Sequence, residues 1–158
     1  MTKAQPSQTT DPVSKERLRL WLRFLKASRM IEAQLRENFR IEFASTLPRF
    51  DVMSALYRFE EGLKMSQLSN VLKVSNGNVT GIVDRLSDDG IIERVSVPGD
   101  RRASLVRLTT QGREEFTTQA AAHERWINEM LVNFSPVEAS DLASRLEQLE
   151  ATLQEKPE

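Results

Sequence analysis

A chain of 158 residues, 39% hydrophobic and 28% charged, is long enough to bury a core and has the composition of an ordinary globular domain. The absence of cysteine excludes disulfides, thiol redox chemistry and thiolate metal sites, and a single histidine, His123, leaves little for a zinc site, so neither metal nor cofactor is expected. The net charge of −1 conceals an asymmetry: residues 62–113 carry eight bases against five acids, whereas residues 114–158 carry three against ten. A basic middle beside an acidic end fits a polyanion-binding face with a separate face that avoids it, although solvated helix faces also scatter charge.

In chain order, residues 1–13 are polar, contain proline and lack periodicity, which predicts a disordered tail. Thr2 to Asp11 lacks the basic-then-apolar pattern of a secretion signal and no apolar run reaches ~20 residues, so a cytoplasmic location is expected. From about Glu16 to Phe43 the residues Leu18, Trp21, Leu25, Ile31, Leu35 and Phe39 follow helical spacing. Pro48 marks the start of a second helix, with Phe50, Met53, Leu56 and Tyr57 as its stripe through Glu60 and Gly62 as its left-handed cap.

Two short helices follow. Met65 to Lys73 is expected to turn Leu68, Val71 and Leu72 inward. Ser75 then caps a helix that buries Val79, Ile82, Val83 and Leu86 and closes at Gly90. So short a join marks a helix-turn-helix, although other bundles share it. The period then changes. Ile91–Val97 and Ser104–Leu108 are rich in β-branched residues and flank Pro98-Gly99-Asp100-Arg101-Arg102, which predicts a hairpin with two arginines at its tip.

Thr109 or Thr110 caps a further long helix to about Asn133, with Phe116, Ala120, His123, Ile127, Met130 and Leu131 along one side. Ser135-Pro136-Val137-Glu138 combines a capping box with proline at the first helical position, and the last helix spaces Leu142, Leu146, Leu149 and Leu153 as a coiled-coil-like seam for a second chain. The fold class is therefore mainly α with a small β-hairpin wing, a winged helix-turn-helix.

The run from Phe50 to Phe116 resembles the MarR family of bacterial regulators. The likeness is carried by SNGNVTGIVDRL (Ser75–Leu86), the Asp100–Arg102 wing tip and VRLTTQG (Val106–Gly112), in order and at the right separation. The resemblance implies an intertwined helical homodimer, with residues 14–46 and 111–158 as dimerisation helices around a DNA-binding lobe at 47–110. It also implies a small ligand between the dimer helices and that lobe.

Small polar residues at Ser75, Asn76, Gly77, Asn78, Thr80 and Gly81 let a helix end enter a major groove about 12 Å wide, where asparagine pairs with adenine and threonine meets a thymine methyl. Arg85, two turns on, reaches for backbone or guanine, and Ser66 and Gln67 for phosphate. Lys64, Lys73 and Arg94 add nonspecific attraction. Arg101 and Arg102 suit a minor groove, with Asp100 holding one of them in its fork orientation. Plainer readings compete: Ser75 as a mere cap, Asn76 and Asn78 as polar surface, and an Asp-Arg pair serving only its turn.

An effector pocket is expected from Trp21, Phe24, Phe50, Met53, Tyr57, His123 and Trp126, with Arg23, Arg29 or Arg49 for a carboxylate or phosphate, although these residues also fit a hydrophobic core. ASRMIEAQLR (27–36) and AHERWI (122–127) resemble the MarR subgroup tied to aromatic-acid catabolism, which implies an aromatic acid or aromatic acyl-CoA as effector. The expected function is a sequence-specific transcriptional regulator, a repressor released from a pseudo-palindromic operator by that ligand. A winged-helix protein-interaction module is the alternative, and it predicts a wing without paired arginines. An enzyme lacks its parts: no nucleophile–base set and no glycine-rich phosphate loop is present.

Overall fold

The computed structural model describes residues 11–155, which form two compact units, one ending at Phe116 and the other starting at Thr117. The order of elements is α1 (Pro12–Phe43), α2 (Leu47–Tyr57), α3 (Met65–Leu72), α4 (Asn76–Asp88), β1 (Ile92–Val97), β2 (Asp100–Leu108), α5 (Thr110–Met130) and α6 (Pro136–Gln154). Residues 1–10 of the expected tail lie outside the described residues. Pro12 and Val13, assigned to that tail from the sequence, are helical. Asp11 is the N-cap of α1, its Oδ1 accepting from the Val13 N–H at 3.1 Å, and Pro12 enters where its missing N–H is harmless.

The first unit is built on aromatic and aliphatic side chains from every element. Phe39 of α1, Met53 and Leu56 of α2, Leu68 of α3, and Val79, Val83 and Leu86 of α4 are all within 1% of complete burial, each contributing roughly 1.5–3 kcal/mol of hydrophobic stabilisation. Phe50 stands between Phe39 and Phe116, with ring centroids 4.8 and 5.5 Å away, which ties α1 and the start of α5 to α2. Thr46 caps α2 by accepting from the Arg49 N–H, and Pro48 lies in its first turn as expected.

Several local expectations need correction. The second helix stops at Tyr57, not Glu60, and Gly62 is not its cap. Gly62, at φ +97°, brings Leu63 alongside β2, where Leu63 and Val106 exchange N–H···O bonds of 2.9 and 2.8 Å; a Cβ on Gly62 would lie 2.7 Å from the Val106 carbonyl oxygen. Val71, expected inside, is 42% exposed. The third helix ends one residue early, at Leu72, because Lys73 turns left-handed at φ 54°. The Lys73 N–H then reaches the Asn70 carbonyl and the Val74 N–H that of Ser69, a Schellman closure made without glycine. Gly90 performs the same closure for α4 in the usual way, with Gly90 donating to Ser87 and Ile91 to Leu86.

β1 and β2 pair antiparallel through a two-residue Pro98-Gly99 turn, but the register breaks next to it. Ser96 faces Ser104 while Val97 faces Asp100, so Arg101, Arg102 and Ala103 have no opposite residue. The two arginines therefore lie on a bulged strand just past the turn. Thr109 is the residue that caps α5: its Oγ1 accepts from the Gly112 N–H at 3.0 Å and donates to the Gly90 carbonyl at 2.7 Å.

In the second unit α5 ends at Met130, three residues before the expected end. Its buried positions include Gln119, Ala122 and Trp126, with Ala120, His123 and Ile127 only partly covered, so the buried stripe is rotated from the predicted one. α6 opens with the predicted capping box, Ser135 Oγ accepting from the Glu138 N–H and the Glu138 carboxylate from the Ser135 N–H. Its leucine seam is wet: Leu142 and Leu146 are half-buried, and Leu149 and Leu153 are 48% and 60% exposed.

Candidate nucleic-acid interface

α4 is held by α2, α3 and β1, all of which it contacts, through the buried row Val79, Val83 and Leu86. That row turns the opposite side of the helix outward, and Gly77, Asn78, Thr80, Gly81, Asp84 and Arg85 are exposed. Asn76 occupies the first position of the helix. Ser75 stands at the N-cap with extended backbone, yet its hydroxyl makes no cap bond. The expected capping role is thus absent, and both the hydroxyl and the first-turn N–H donors remain for an incoming anion.

Among the described residues nothing explains the two glycines of these first turns. A Cβ placed on Gly77 or Gly81 meets nothing within 4 Å. Glycine in a helix interior costs about 0.8–1 kcal/mol relative to alanine. Two such positions on one exposed face, without an internal neighbour to demand them, point to a surface that approaches from outside.

Cations in this unit divide into two groups. Arg94 of β1 binds Asp84 of α4 at 2.7 Å, Arg107 binds Glu93 across the hairpin at 2.7 Å, Arg113 binds Glu60 at 3.0 Å, and Arg49 binds Asp89 at 2.7 Å. Lys64, Lys73, Arg85, Arg101 and Arg102 are exposed, and among the described residues no carboxylate lies within ion-pair distance of them. Asp100 does not hold an arginine fork. Its Oδ1 accepts from the Arg102 backbone N–H at 2.9 Å, bracing the bulge and leaving the guanidinium groups outside it. Arg94, expected to add loose attraction, instead ties the wing to α4.

At the start of α3, Ser66 and Gln67 are exposed as a phosphate role requires, but Gln67 Oε1 already accepts from the Lys64 N–H at 2.9 Å, so only its amide donors are available. The sequence reading missed the two cross-element ion pairs of α4, Asp84–Arg94 and Arg49–Asp89. Residues 10 and 40 positions apart carry no pairing signal beyond opposite charge.

The residues grouped as an effector pocket belong to both units. On α1, Trp21 and Arg23 are exposed and Phe24 is half-buried, and Arg29 is exposed. Phe50 and Met53 belong to the core, and Arg49 is committed to Asp89. Tyr57 packs on Phe116 at 4.6 Å with the Arg113 guanidinium 4.7 Å over its ring. In the second unit His123 is half-buried, which lowers its pKa by desolvation, and Trp126 is 5% exposed.

The MarR family profile matches residues 45–104, which covers α2 to the wing. An uncharacterized HTH-type transcriptional regulator of Bacillus subtilis, YdgJ, is 34% identical over 90 residues, 57% of this chain, and that match spans only about half of the relative, 54% of its length. The crystal structure of a MarR family transcriptional regulator from Silicibacter pomeroyi superposes with a TM-score of 0.76 at 30% identity, over 91% of this chain and 99% of that one. Sco3205, a MarR family regulator from Streptomyces coelicolor solved in complex with DNA, shares the fold at TM-score 0.77 and 20% identity, over 96% of this chain and 94% of that one.

Proposed function

The chain belongs to the MarR family of winged helix-turn-helix transcriptional regulators, and on that footing we propose that it is itself a DNA-binding regulator, working as a homodimer on a pseudo-palindromic operator. The observation that carries this reading is the outer face of α4. Its first turns combine an uncapped N-terminus with two glycines that nothing among the described residues requires. Small residues bring the helix end deep into a major groove, where Asn76, Asn78 and Thr80 read base edges and Ser75, Ser66 and Gln67 take phosphates. Arg85 serves the same strand, and Arg101 and Arg102 enter the flanking minor groove from the wing.

Two-fold symmetry sets the reading helices roughly 34–36 Å apart, one turn of the duplex. Support for the second subunit comes from apolar surface left half-covered among the described residues: Leu18, Trp21 and Leu22 on α1 and Leu149 and Leu153 on α6 are 48–60% exposed. Regulation follows if a small aromatic acid or acyl thioester favours a spacing of the heads that does not fit the operator, releasing a repressor. Trp21, Phe24 and their neighbours on α1 are the aromatic surface available for it.

Fluorescence anisotropy with DNA from upstream of the coding sequence, together with analytical ultracentrifugation, tests the proposal. Sub-micromolar binding that weakens steeply with salt, by a species of twice the chain mass, is expected. A monomer, or binding with no preference for any duplex over bulk DNA, overturns it. The wing separates this reading from a protein-interaction module, because a module has no use for Arg101 and Arg102 held free of carboxylates.

A further inference from the structure

An asparagine or aspartate followed by glycine is open to attack by the glycine nitrogen on its own side-chain carbonyl carbon, because no Cβ on the second residue stands in the way. The chain holds two such pairs, and both belong to α4: Asn76-Gly77 at its start and Asp89-Gly90 at its end. The other five asparagines, at 38, 70, 78, 128 and 133, precede phenylalanine, valine or glutamate.

The fold treats the two pairs in opposite ways. At the end of α4 the Gly90 N–H donates to the Ser87 carbonyl at 3.0 Å, and the Asp89 carboxylate is tied to Arg49 at 2.7 Å. Nucleophile and electrophile are both held. Gly77 is the second residue of the helix, where an N–H has no intrahelical acceptor. The first helical bond runs from the Val79 N–H to the Ser75 carbonyl at 3.3 Å, and the Ser75 hydroxyl makes no cap bond. Among the described residues nothing accepts from the Gly77 N–H, and a Cβ on Gly77 would meet nothing within 4 Å. The reactive nitrogen thus stands free in a terminal turn, the part of a helix that frays first.

We infer that Asn76-Gly77 is a site of spontaneous deamidation, which turns a neutral residue of the reading helix into an acid as the protein ages. The Gly77 nitrogen loses its proton to solvent base and bonds to Asn76 Cγ. The side-chain nitrogen leaves as ammonia, taking up a proton in its turn, and a cyclic imide remains. Water opens that ring. Addition at Cγ breaks the new bond and gives aspartate, whereas addition at the main-chain carbonyl carbon breaks the old peptide bond and gives isoaspartate. The sum is amide plus water to acid plus ammonia, with no oxidant or reductant. An acid at a helix N-terminus is favourable for the helix, so the aspartate product keeps its fold while its charge opposes duplex phosphates. The reaction stands on the pair alone, and only its effect on DNA rests on the reading proposed above.

The test follows the purified native chain at pH 8 by mass spectrometry of the tryptic peptides 74–85 and 86–94. Loss of the Asn76 amide is expected at least tenfold faster than loss at Asn78 in the same peptide, and Gly77→Ala slows it at least tenfold. Isoaspartate at position 89 is expected only when the chain is unfolded in urea, whereas the native rate at Asn76 stays within tenfold of the rate in urea. Equal rates at Asn76 and Asn78, no slowing by Gly77→Ala, a native rate at Asn76 more than tenfold below that in urea, or isoaspartate at position 89 in the native chain overturns the site. In the DNA arm, Asn76→Asp raises the operator Kd at least fivefold above that of the neutral Asn76→Ser, with the circular dichroism spectrum unchanged. Equal affinities of these two variants overturn the effect of the charge. If the fresh native chain binds no operator, the DNA reading fails by itself and mass spectrometry still decides the deamidation.

Discussion

Gly112 and Gly62 sit where the backbone of a neighbour leaves no room for a side chain, and Gly77 and Gly81 sit where there is nothing but room. The first pair lies at joints. Gly112 lets the start of α5 press on the carbonyl of Ile91, and Gly62 lets Leu63 add its bonds to the edge of β2. The second pair lies on the outer face of α4. Glycines of the joints are explained by the fold, while those of α4 weaken their helix without internal gain. The residue type is the same, and the described residues supply the physical reason for it in one case and none in the other.

The most forceful way to test this contrast is Gly112→Ala. The new methyl would lie 2.1 Å from the Ile91 oxygen and 3.0 Å from its carbonyl carbon, backbone atoms that cannot step aside alone. A loss of about 3 kcal/mol is expected, read from the urea midpoint. A loss below about 1 kcal/mol means the α5 joint is looser than described, and the contrast weakens.

Next in size is the wing. Arg101→Ala and Arg102→Ala should each weaken operator binding by about 1–3 kcal/mol and flatten its salt dependence, while stability moves by no more than about 0.5 kcal/mol. An unchanged salt slope in an anisotropy titration removes the wing from the interface.

Alanine at the free glycines reverses the sign of the first experiment. Gly77→Ala and Gly81→Ala should each raise stability by up to about 1 kcal/mol, because helix propensity improves and nothing is struck. Operator affinity should fall in the same proteins. If both variants bind DNA as well as the native chain, the glycines of α4 have no external cause and the observation behind the functional reading is lost.

What the sequence made legible is local chemistry, and what it hid is proximity. Pro48, Pro136 and the Ser135–Glu138 box marked helix starts correctly because the signal lies within four residues. Asp11-Pro12 is the same kind of signal, but it was submerged in a polar stretch and read as tail. Gly62 was legible as a positive-φ residue and mistaken for a cap, since nothing nearby announces that Val106 passes beside it. Lys73 ends α3 left-handed without a glycine to warn of it. Glutamine at position 119 broke the apolar period of α5 and drew the predicted stripe one position round, onto Ala120 and His123. The small polar residues on the outer face of α4 were legible as residue types. That its glycines stand in open space, and that Ser75 makes no cap bond, needed coordinates.

The smallest expected effect distinguishes two roles for one ion pair. Arg94 and Asp84 are 40% and 58% exposed, so their pairing is worth at most about 1 kcal/mol to the fold. Its larger consequence is electrostatic, because Asp84 stands on the outer face of α4 and neutralises a cation beside that face. If the pair serves only to hold the wing against α4, Asp84→Asn loosens the wing and weakens operator binding. If the pair instead withholds a charge, Asp84→Asn frees the guanidinium for a phosphate, and the salt dependence steepens by about one counterion. We expect the second outcome, since the hairpin already packs on α4 through β1, where Ile92 is buried. Weaker binding with an unchanged slope would move Arg94 into the group of residues explained from inside, beside Gly62 and Gly112.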